Sequence, residues 1–214
     1  MVPPVVDANV TVILESGCCS VNCVVRHGRS YIGENTDGQG FLLALREKVD
    51  PKDSSVVLFG AGGAARAVSV ELALAGAKRI RVVNRDADRG QALVDLLNRR
   101  TSTRAELIRW TEPYTIPTDA DIVVNATSIG LYPDIDARLN LELNSLRPAL
   151  IVADIIPNPP RTRFIEAAQQ RGCVVLDGLG MLVNQGVIGI KYWTGIDVDA
   201  EVMRRTIQDI FVQS

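Results

Sequence analysis

Three features of this 214-residue chain are equipped to act on a small molecule: a glycine-rich turn, two arginines one strand further on, and a carboxylate at a helix start. The turn lies in Val56-Val57-Leu58-Phe59-Gly60-Ala61-Gly62-Gly63-Ala64-Ala65-Arg66-Ala67, between an apolar run and an alanine-rich stretch. Gly60 permits a tight turn and Gly62 lets backbone approach a diphosphate. The helix that opens through Gly63 and Ala64 offers free N–H groups and the positive end of its dipole. Ala61 completes the loop, and Ala65 stands where a third glycine is usual, a replacement the fingerprint tolerates. A glycine turn alone carries little meaning; a strand before it and a helix after it supply the context.

The next apolar run ends in Val82-Val83-Asn84-Arg85-Asp86-Ala87-Asp88-Arg89. A site for NAD usually presents a carboxylate here to the ribose 2′-hydroxyl, whereas this chain has Asn84 and Arg85, with Arg89 one helical turn on. Guanidinium groups pair with a 2′-phosphate, so NADP is the expected cofactor. Asp86 and Asp88 repel a phosphate, and NAD stays open. Asp37 precedes Phe41, Leu42, Leu45 and Val49, which recur at helical spacing, so it stands in a first turn with Thr36 as the expected N-cap. A first-turn carboxylate also stabilises its own helix dipole, which explains the position without any chemistry.

The elements that must hold these residues follow from periodicity. Val21 to Val25 and a second run through Ile32 read as a hairpin turning at Gly28, with His27 a solvated turn residue. Pro51 to Ser54 is a turn-rich boundary. Beyond it, apolar runs alternate with amphipathic stretches: Val56 to Phe59, Ile80 to Val83, Ala105 to Ile108, Ile122 to Asn125, Leu150 to Ala153 and Cys173 to Leu176. A helix between the last two opens at Pro159-Pro160, and two more follow near Gly180 to Trp193 and Asp199 to Val212. This rhythm predicts an α/β fold with a doubly wound parallel sheet, a Rossmann NAD(P)-binding domain beside a shortened α/β unit.

Composition sets the limits. At 47% hydrophobic residues the chain has material for a core, and a formal net charge of -2 gives no electrostatic footprint for nucleic acid or an anionic membrane. No apolar run of about 18 residues occurs, and Met1 to Asp7 has no basic-then-apolar pattern, so neither a membrane span nor a signal peptide is expected. Cys18, Cys19, Cys23 and Cys173 form no CxxC pair and read as reduced thiols with no metal role. A cytoplasmic protein acting on a small molecule, as a monomer or homodimer, is the expectation.

Four strings, in this order, resemble the shikimate dehydrogenase family. Asn35-Thr36-Asp37-Gly38-Gln39-Gly40 is similar to its NTDGxG, and Asn84-Arg85-Asp86-Ala87-Asp88-Arg89 to its NRTxxR with Asp86 in place of Thr. Asn125-Ala126-Thr127-Ser128-Ile129-Gly130 is similar to its NATSxG loop, and Asp177-Gly178-Leu179-Gly180-Met181-Leu182-Val183-Asn184-Gln185 to DGLGMLVxQ. The resemblance covers roughly residues 8 to 214. It implies Asp37 as the aspartate of a catalytic Lys/Asp pair, Thr127 and Ser128 beside the cofactor, Gly178 near the nicotinamide and Gln185 on the substrate. Ala8-Asn9-Val10-Thr11-Val12 resembles GxNVTxP and Val21-Asn22 the AVN turn, which implies Asn9, Thr11 and Asn22 as ligands for substrate hydroxyls. Asp154-Ile155-Ile156-Pro157-Asn158-Pro159 resembles a further string and brings Ile155 to the cofactor.

The implied activity is reversible hydride transfer between shikimate or quinate and NADP. The departures bear on it directly. The register of the family's lysine falls on Glu15, the segment between Thr11 and Asn22 is short, and Pro157 replaces a tyrosine. Residues 1–50 then read as a remnant of the substrate domain, 54–177 as the Rossmann domain and 178–214 as helices packed across the cleft. Lys191, on the helix after Gln185, reads as part of a solvated face, with approach to the cleft as the alternative. Turnover is expected to be impaired. Two alternatives stand beside it: a silent NADP(H)-binding protein, and a dehydrogenase of a shikimate analogue.

Overall fold

In a computed structural model, residues 12–14, 21–28 and 30–212 are described. Two sheets organise them. The smaller has three strands in the order β1-β3-β2, formed by β1 (Val12–Leu14), β2 (Cys23–His27) and β3 (Ser30–Glu34). β2 and β3 are the expected hairpin, antiparallel and turning at Gly28 with φ +63°, and β1 lies parallel to β3.

The larger sheet bears out the doubly wound reading. Its six strands are β4 (Ser55–Phe59), β5 (Arg79–Asn84), β6 (Arg104–Arg109), β7 (Ile122–Asn125), β8 (Ile151–Asp154) and β9 (Val174–Leu176). All pair in parallel, in the order β6-β5-β4-β7-β8-β9. The order reverses direction at β4, so loops leaving β4 and β7 part and open a crevice at the carboxyl edge. The central runs are apolar on both faces because both faces are covered. Val56, Leu58, Ile80, Val82 and Ile122 pack on one side, and Val57, Phe59, Val83, Val123 and Val152 on the other.

Six helices flank these sheets: α1 (Thr36–Arg46), α2 (Gly63–Leu74), α3 (Ala87–Arg100), α4 (Arg163–Gln170), α5 (Gly178–Thr194) and α6 (Ala200–Val212). Three starts differ from expectation, each for a capping reason. Asn35 rather than Thr36 caps α1, its side chain accepting from the Gly38 amide at 3.2 Å, which moves Thr36 into the first turn. α4 begins after Thr162, whose hydroxyl accepts from the Ile165 amide, and not at Pro159-Pro160. α5 begins at Gly178 because Asp177 caps it through the Leu179 amide.

Helix α1 is clamped by close approach. A Cβ on Gly38 would stand 2.5 Å from the Ala67 carbonyl oxygen of α2, one on Gly40 2.7 Å from the Gln185 amide nitrogen of α5, and one on Gly180 2.9 Å from the Ala44 Cβ. Only glycine lets these backbones meet. Asn184, buried, donates to the Gly40 carbonyl at 3.2 Å and fixes the rotation of α5 on α1.

Candidate active site

The residues that the sequence offers as cofactor candidates lie around the carboxyl edge of the large sheet. Phe59, the last residue of β4, is fully buried against Trp110 and Tyr114, with ring centroids 5.1 and 5.6 Å away. That aromatic cluster anchors the turn that follows. Gly60 has φ +107°, its amide donates to the Val83 carbonyl at 3.0 Å, and a Cβ there would stand 2.7 Å from the Ala126 carbonyl oxygen. Ala61 is buried, whereas Gly62 and Gly63 are exposed and Ala64 half-buried. Gly62 is the N-cap of α2 and provides no side-chain cap, and a Cβ on it would meet nothing within 4 Å. The first-turn amides of α2 thus face open space with an uncapped dipole end, the arrangement a diphosphate requires.

At the end of β5, the Asn84 side chain donates to the Asp86 carbonyl at 2.7 Å and shapes the turn that leaves Arg85 exposed. Asp86 caps α3, one oxygen accepting from the Arg89 amide at 3.0 Å while the other stands 3.6 Å from the Arg89 Nε. Asp86, where the family string has threonine, therefore caps α3 and places a charge beside Arg89. Two guanidinium groups and two exposed carboxylates, Asp86 and Asp88, share this corner.

On the far side of β4, Thr127 and Ile155 follow β7 and β8. The Thr127 amide and hydroxyl both donate to the Asn125 Oδ1, at 3.1 and 2.7 Å, and the Thr127 hydroxyl accepts from the Ile129 amide at 3.1 Å. Ser128 is exposed at the tip of this loop and Ile155 is half-buried. Gly178 opens α5 directly against them: a Cβ on it would collide with the Ile156 carbonyl and lie 2.8 Å from the Ile155 carbonyl carbon.

Two turns along α5, Gln185 reaches the second cluster. The Asn22 Oδ1 accepts from the Thr36 amide at 2.8 Å, and its Nδ2 donates to the Asp37 Oδ1 at 2.7 Å and to the Thr36 hydroxyl at 3.1 Å. The Thr36 hydroxyl lies 3.4 Å from the Gln185 Oε1 as donor. Burial pushes the Asp37 carboxyl above its ordinary range, and the Asn22 amide pulls it partly back. Asp37, Asn22 and Gln185 are brought together as expected; Thr36, which joins them, is expected from the sequence only as a cap. Asn9, Thr11 and Glu15 lie outside the described residues. Lys191 is not in the cluster: its Nζ is held by Asp197 at 2.6 Å.

Asn125, Asp154 and Thr162 are buried polar residues that sequence reasoning misses, although the first two stand in the family strings. A 440 Å³ hollow between α4 and residues 138–143 involves none of the residues above; Arg138, Leu141, Phe164 and Arg171 are among its walls. Cys23 and Cys173 are free thiols, while Cys18 and Cys19 lie outside the described residues. Among the described residues no helix is long and apolar enough to cross a membrane, and no group of three or more His, Cys, Asp or Glu side chains is placed to hold a metal ion.

Comparison with known proteins matches residues 43–157 to the model of the shikimate / quinate 5-dehydrogenase family and residues 178–208 to that of the shikimate 5′-dehydrogenase C-terminal domain. The shikimate dehydrogenase (NADP(+)) of Methanopyrus kandleri is 43% identical over 188 residues, 86% of this chain and 65% of that protein. The chain thus spans about two thirds of the length of that relative. Among solved structures, the ligand-free 5-ketofructose reductase of Gluconobacter sp. strain CHM43 is 49% identical with a TM-score of 0.89, covering 94% of this chain and 73% of that one. The shikimate 5-dehydrogenase of Thermus thermophilus, in complex with NADP(H) and shikimate, is 30% identical with a TM-score of 0.78, covering 94% and 73%. Family models over both the strand-and-turn core and the last helices, with a relative this similar across most of the chain, establish that it belongs to the shikimate/quinate 5-dehydrogenase family.

Proposed function

We propose that this chain carries the NADP-binding and proton-transfer machinery of an oxidoreductase that interconverts a secondary alcohol and a ketone on shikimate or quinate. The observation that carries this reading is α5, which starts against the carboxyl edge at Ile155–Ile156 and ends its second turn on the Asn22–Thr36–Asp37 cluster. One helix joins the cofactor edge to a cluster of hydroxyl-binding and acid/base groups. In domain terms, residues 1–50 are the substrate unit, 54–177 the dinucleotide unit and 178–214 the helices that connect them.

The residues fit NADP. Gly60, Ala61, Gly62, Gly63 and Ala64 would cradle the diphosphate, Asn84, Arg85 and Arg89 the 2′-phosphate and adenosine, and Thr127, Ser128, Ile155 and Gly178 the nicotinamide side. When bound, the nicotinamide supplies the hydride acceptor or donor. The chain supplies position and the proton. Asn22 and Gln185, with Asn9 and Thr11, would hold substrate hydroxyls, and Asp37 would take the alcohol proton or return it to the carbonyl oxygen. Its raised carboxyl brings it nearer the neutral range, where a general base works best. With Glu15 at the lysine register of the sequence and the Lys191 ammonium held by Asp197, Asp37 would act without a lysine partner from this chain, and we expect impaired turnover.

A second reading is favoured by one comparison. The 49% identity to a 5-ketofructose reductase, with Pro157 in place of the family tyrosine, supports a keto sugar in place of a cyclohexene carboxylate. On either reading we propose a cytoplasmic protein, monomer or homodimer, that acts on small molecules. The test is to titrate the purified chain with NADPH and NADH, then follow nicotinamide absorbance with shikimate, quinate and 5-ketofructose. Turnover on one substrate selects between the readings. NADPH binding with no turnover on any identifies a silent binding protein, and failure to bind either nucleotide overturns the cofactor assignment.

A further inference from the structure

The polar core beneath the carboxyl edge is organised around one carboxylate. Asp154 ends β8, is 2% exposed, and stands in register beside Asn125 at the end of β7, itself fully buried. Its Oδ1 accepts from the Asn125 Nδ2 and from the Ile156 amide, both at 3.1 Å, and its Oδ2 accepts from the Thr162 hydroxyl at 2.7 Å. Each of these donors belongs to a different piece of chain. Asn125 controls the Thr127 loop through its other amide atom, Ile156 lies in the strip against which Gly178 starts α5, and Thr162 caps α4.

A buried charge is costly unless every lone pair has a donor, and an apolar side chain would fill the same space without that cost. What an apolar residue could not do is hold three separate segments at fixed distances. The sheet order says which part of the ligand would sense this. A dinucleotide lying across β4 places its adenosine over β5, where Arg85 and Arg89 stand, and its nicotinamide over β7 and β8.

We propose that Asp154 is a positioning residue for the nicotinamide half of the cofactor, tying the loops after β7 and β8 and the start of α4 into one unit. The proposal rests on the cofactor reading above. It assigns Asp154 no contact with the ligand. Burial pushes its carboxyl up to about 6 and the three donors oppose that rise, which leaves it charged, as an acceptor of three hydrogen bonds, at neutral pH.

The test compares a half-cofactor with the whole. Asp154→Asn preserves the shape and the two contacts on Oδ1, but presents an N–H₂ to a Thr162 hydroxyl that now has to accept. We expect the affinity for NADPH to fall by about tenfold or more while that for adenosine 2′,5′-bisphosphate stays within about twofold, a tenfold loss being about 1.4 kcal/mol. Thr162→Val should move the same ratio in the same direction and Thr162→Ser should restore it, and these two variants decide the matter if Asp154→Asn does not fold. Equal loss of both ligands, or loss of neither, overturns the proposal and leaves the cofactor reading intact. Failure of the unsubstituted protein to bind the bisphosphate overturns the cofactor reading, and the proposal with it.

Discussion

Asp86 occupies the corner where a 2′-phosphate would sit, and its replacement by threonine offers a calibrated test of cofactor choice. The carboxylate has two measurable effects in opposite directions. It caps α3 by accepting from the Arg89 amide at 3.0 Å, a contact whose removal by alanine costs about 1 kcal/mol of stability. It also stands 3.6 Å from the Arg89 guanidinium and so lies close to any phosphate that Arg89 holds. Taking a separation of roughly 5 Å in a solvent-dominated environment, a unit charge repels each phosphate charge by about 1 kcal/mol, so a dianion loses about 1–2 kcal/mol, or roughly five- to thirty-fold in affinity. Asp86→Thr should therefore leave the thermal midpoint within a few degrees, because threonine still caps, while tightening NADPH by that factor and leaving NADH unchanged. Asp86→Ala should tighten NADPH similarly and lose the cap. Isothermal titration at low and high salt is the assay, and the gain should shrink as salt screens the exposed charges. An Asp86→Thr variant whose NADPH and NADH affinities rise together would refute the reasoning, since the carboxylate would then be acting on the loop and not on the phosphate.

Asp37→Asn should lower turnover by about a hundredfold or more with NADPH affinity unchanged, in steady-state kinetics paired with nucleotide titration. Gly60→Ala places a Cβ 2.7 Å from the Ala126 carbonyl oxygen at φ +107°, and should cost about 1–3 kcal/mol in chemical denaturation together with nucleotide binding. For Asp154, burial raises the folded-state carboxyl to about 6 from an ordinary value of 3.8, so its contribution to stability is fully present below pH 3.8 and is lost as pH rises through 6. The stability difference between the unsubstituted chain and Asp154→Asn should thus shift against the aspartate by about 2 kcal/mol between about pH 4 and pH 7, read from denaturation at each pH. Gly40→Ala, whose Cβ would stand 2.7 Å from the Gln185 amide nitrogen, should destabilise the chain by about 1–3 kcal/mol, measured by the same method.

The parallel sheet is legible in the sequence because its runs are short, β-branched and apolar on both faces, and because Gly60 and Gly62 punctuate the first of them where a helix follows. Helix starts are less so. Thr36 and Asn35 are both good caps by composition, and which one accepts from the backbone depends on the Asn22 side chain, distant along the chain but adjacent in space. The Pro159-Pro160 pair suggests a helix opening, yet Thr162 is the residue whose hydroxyl can satisfy both the α4 amides and Asp154. For the site, Asp37, Asn22 and Gln185 come from motif resemblance, and Thr36 escapes notice because its hydroxyl acts only once α5 has docked on α1. Asp154 escapes for a related reason: a charged residue after an apolar run reads as its end, and its donors stand at the end of β7, just after β8 and at the cap of α4.

The glycine contacts along α1 decide what can move. With Gly38 pressed on α2 and Gly40 and Gly180 on the α1–α5 seam, the helix that bears Asp37 has no slack to slide or tilt against its neighbours. The carboxylate proposed for proton transfer is thus fixed to the helices that flank the large sheet, and the Asn22–Asp37 and Trp193–Val24 hydrogen bonds tie the three-stranded sheet to the same helices. Spectroscopic labels on β2 and α1 should therefore report the same motion, and an excursion of β2 alone would mean that the Asn22–Asp37 contact opens.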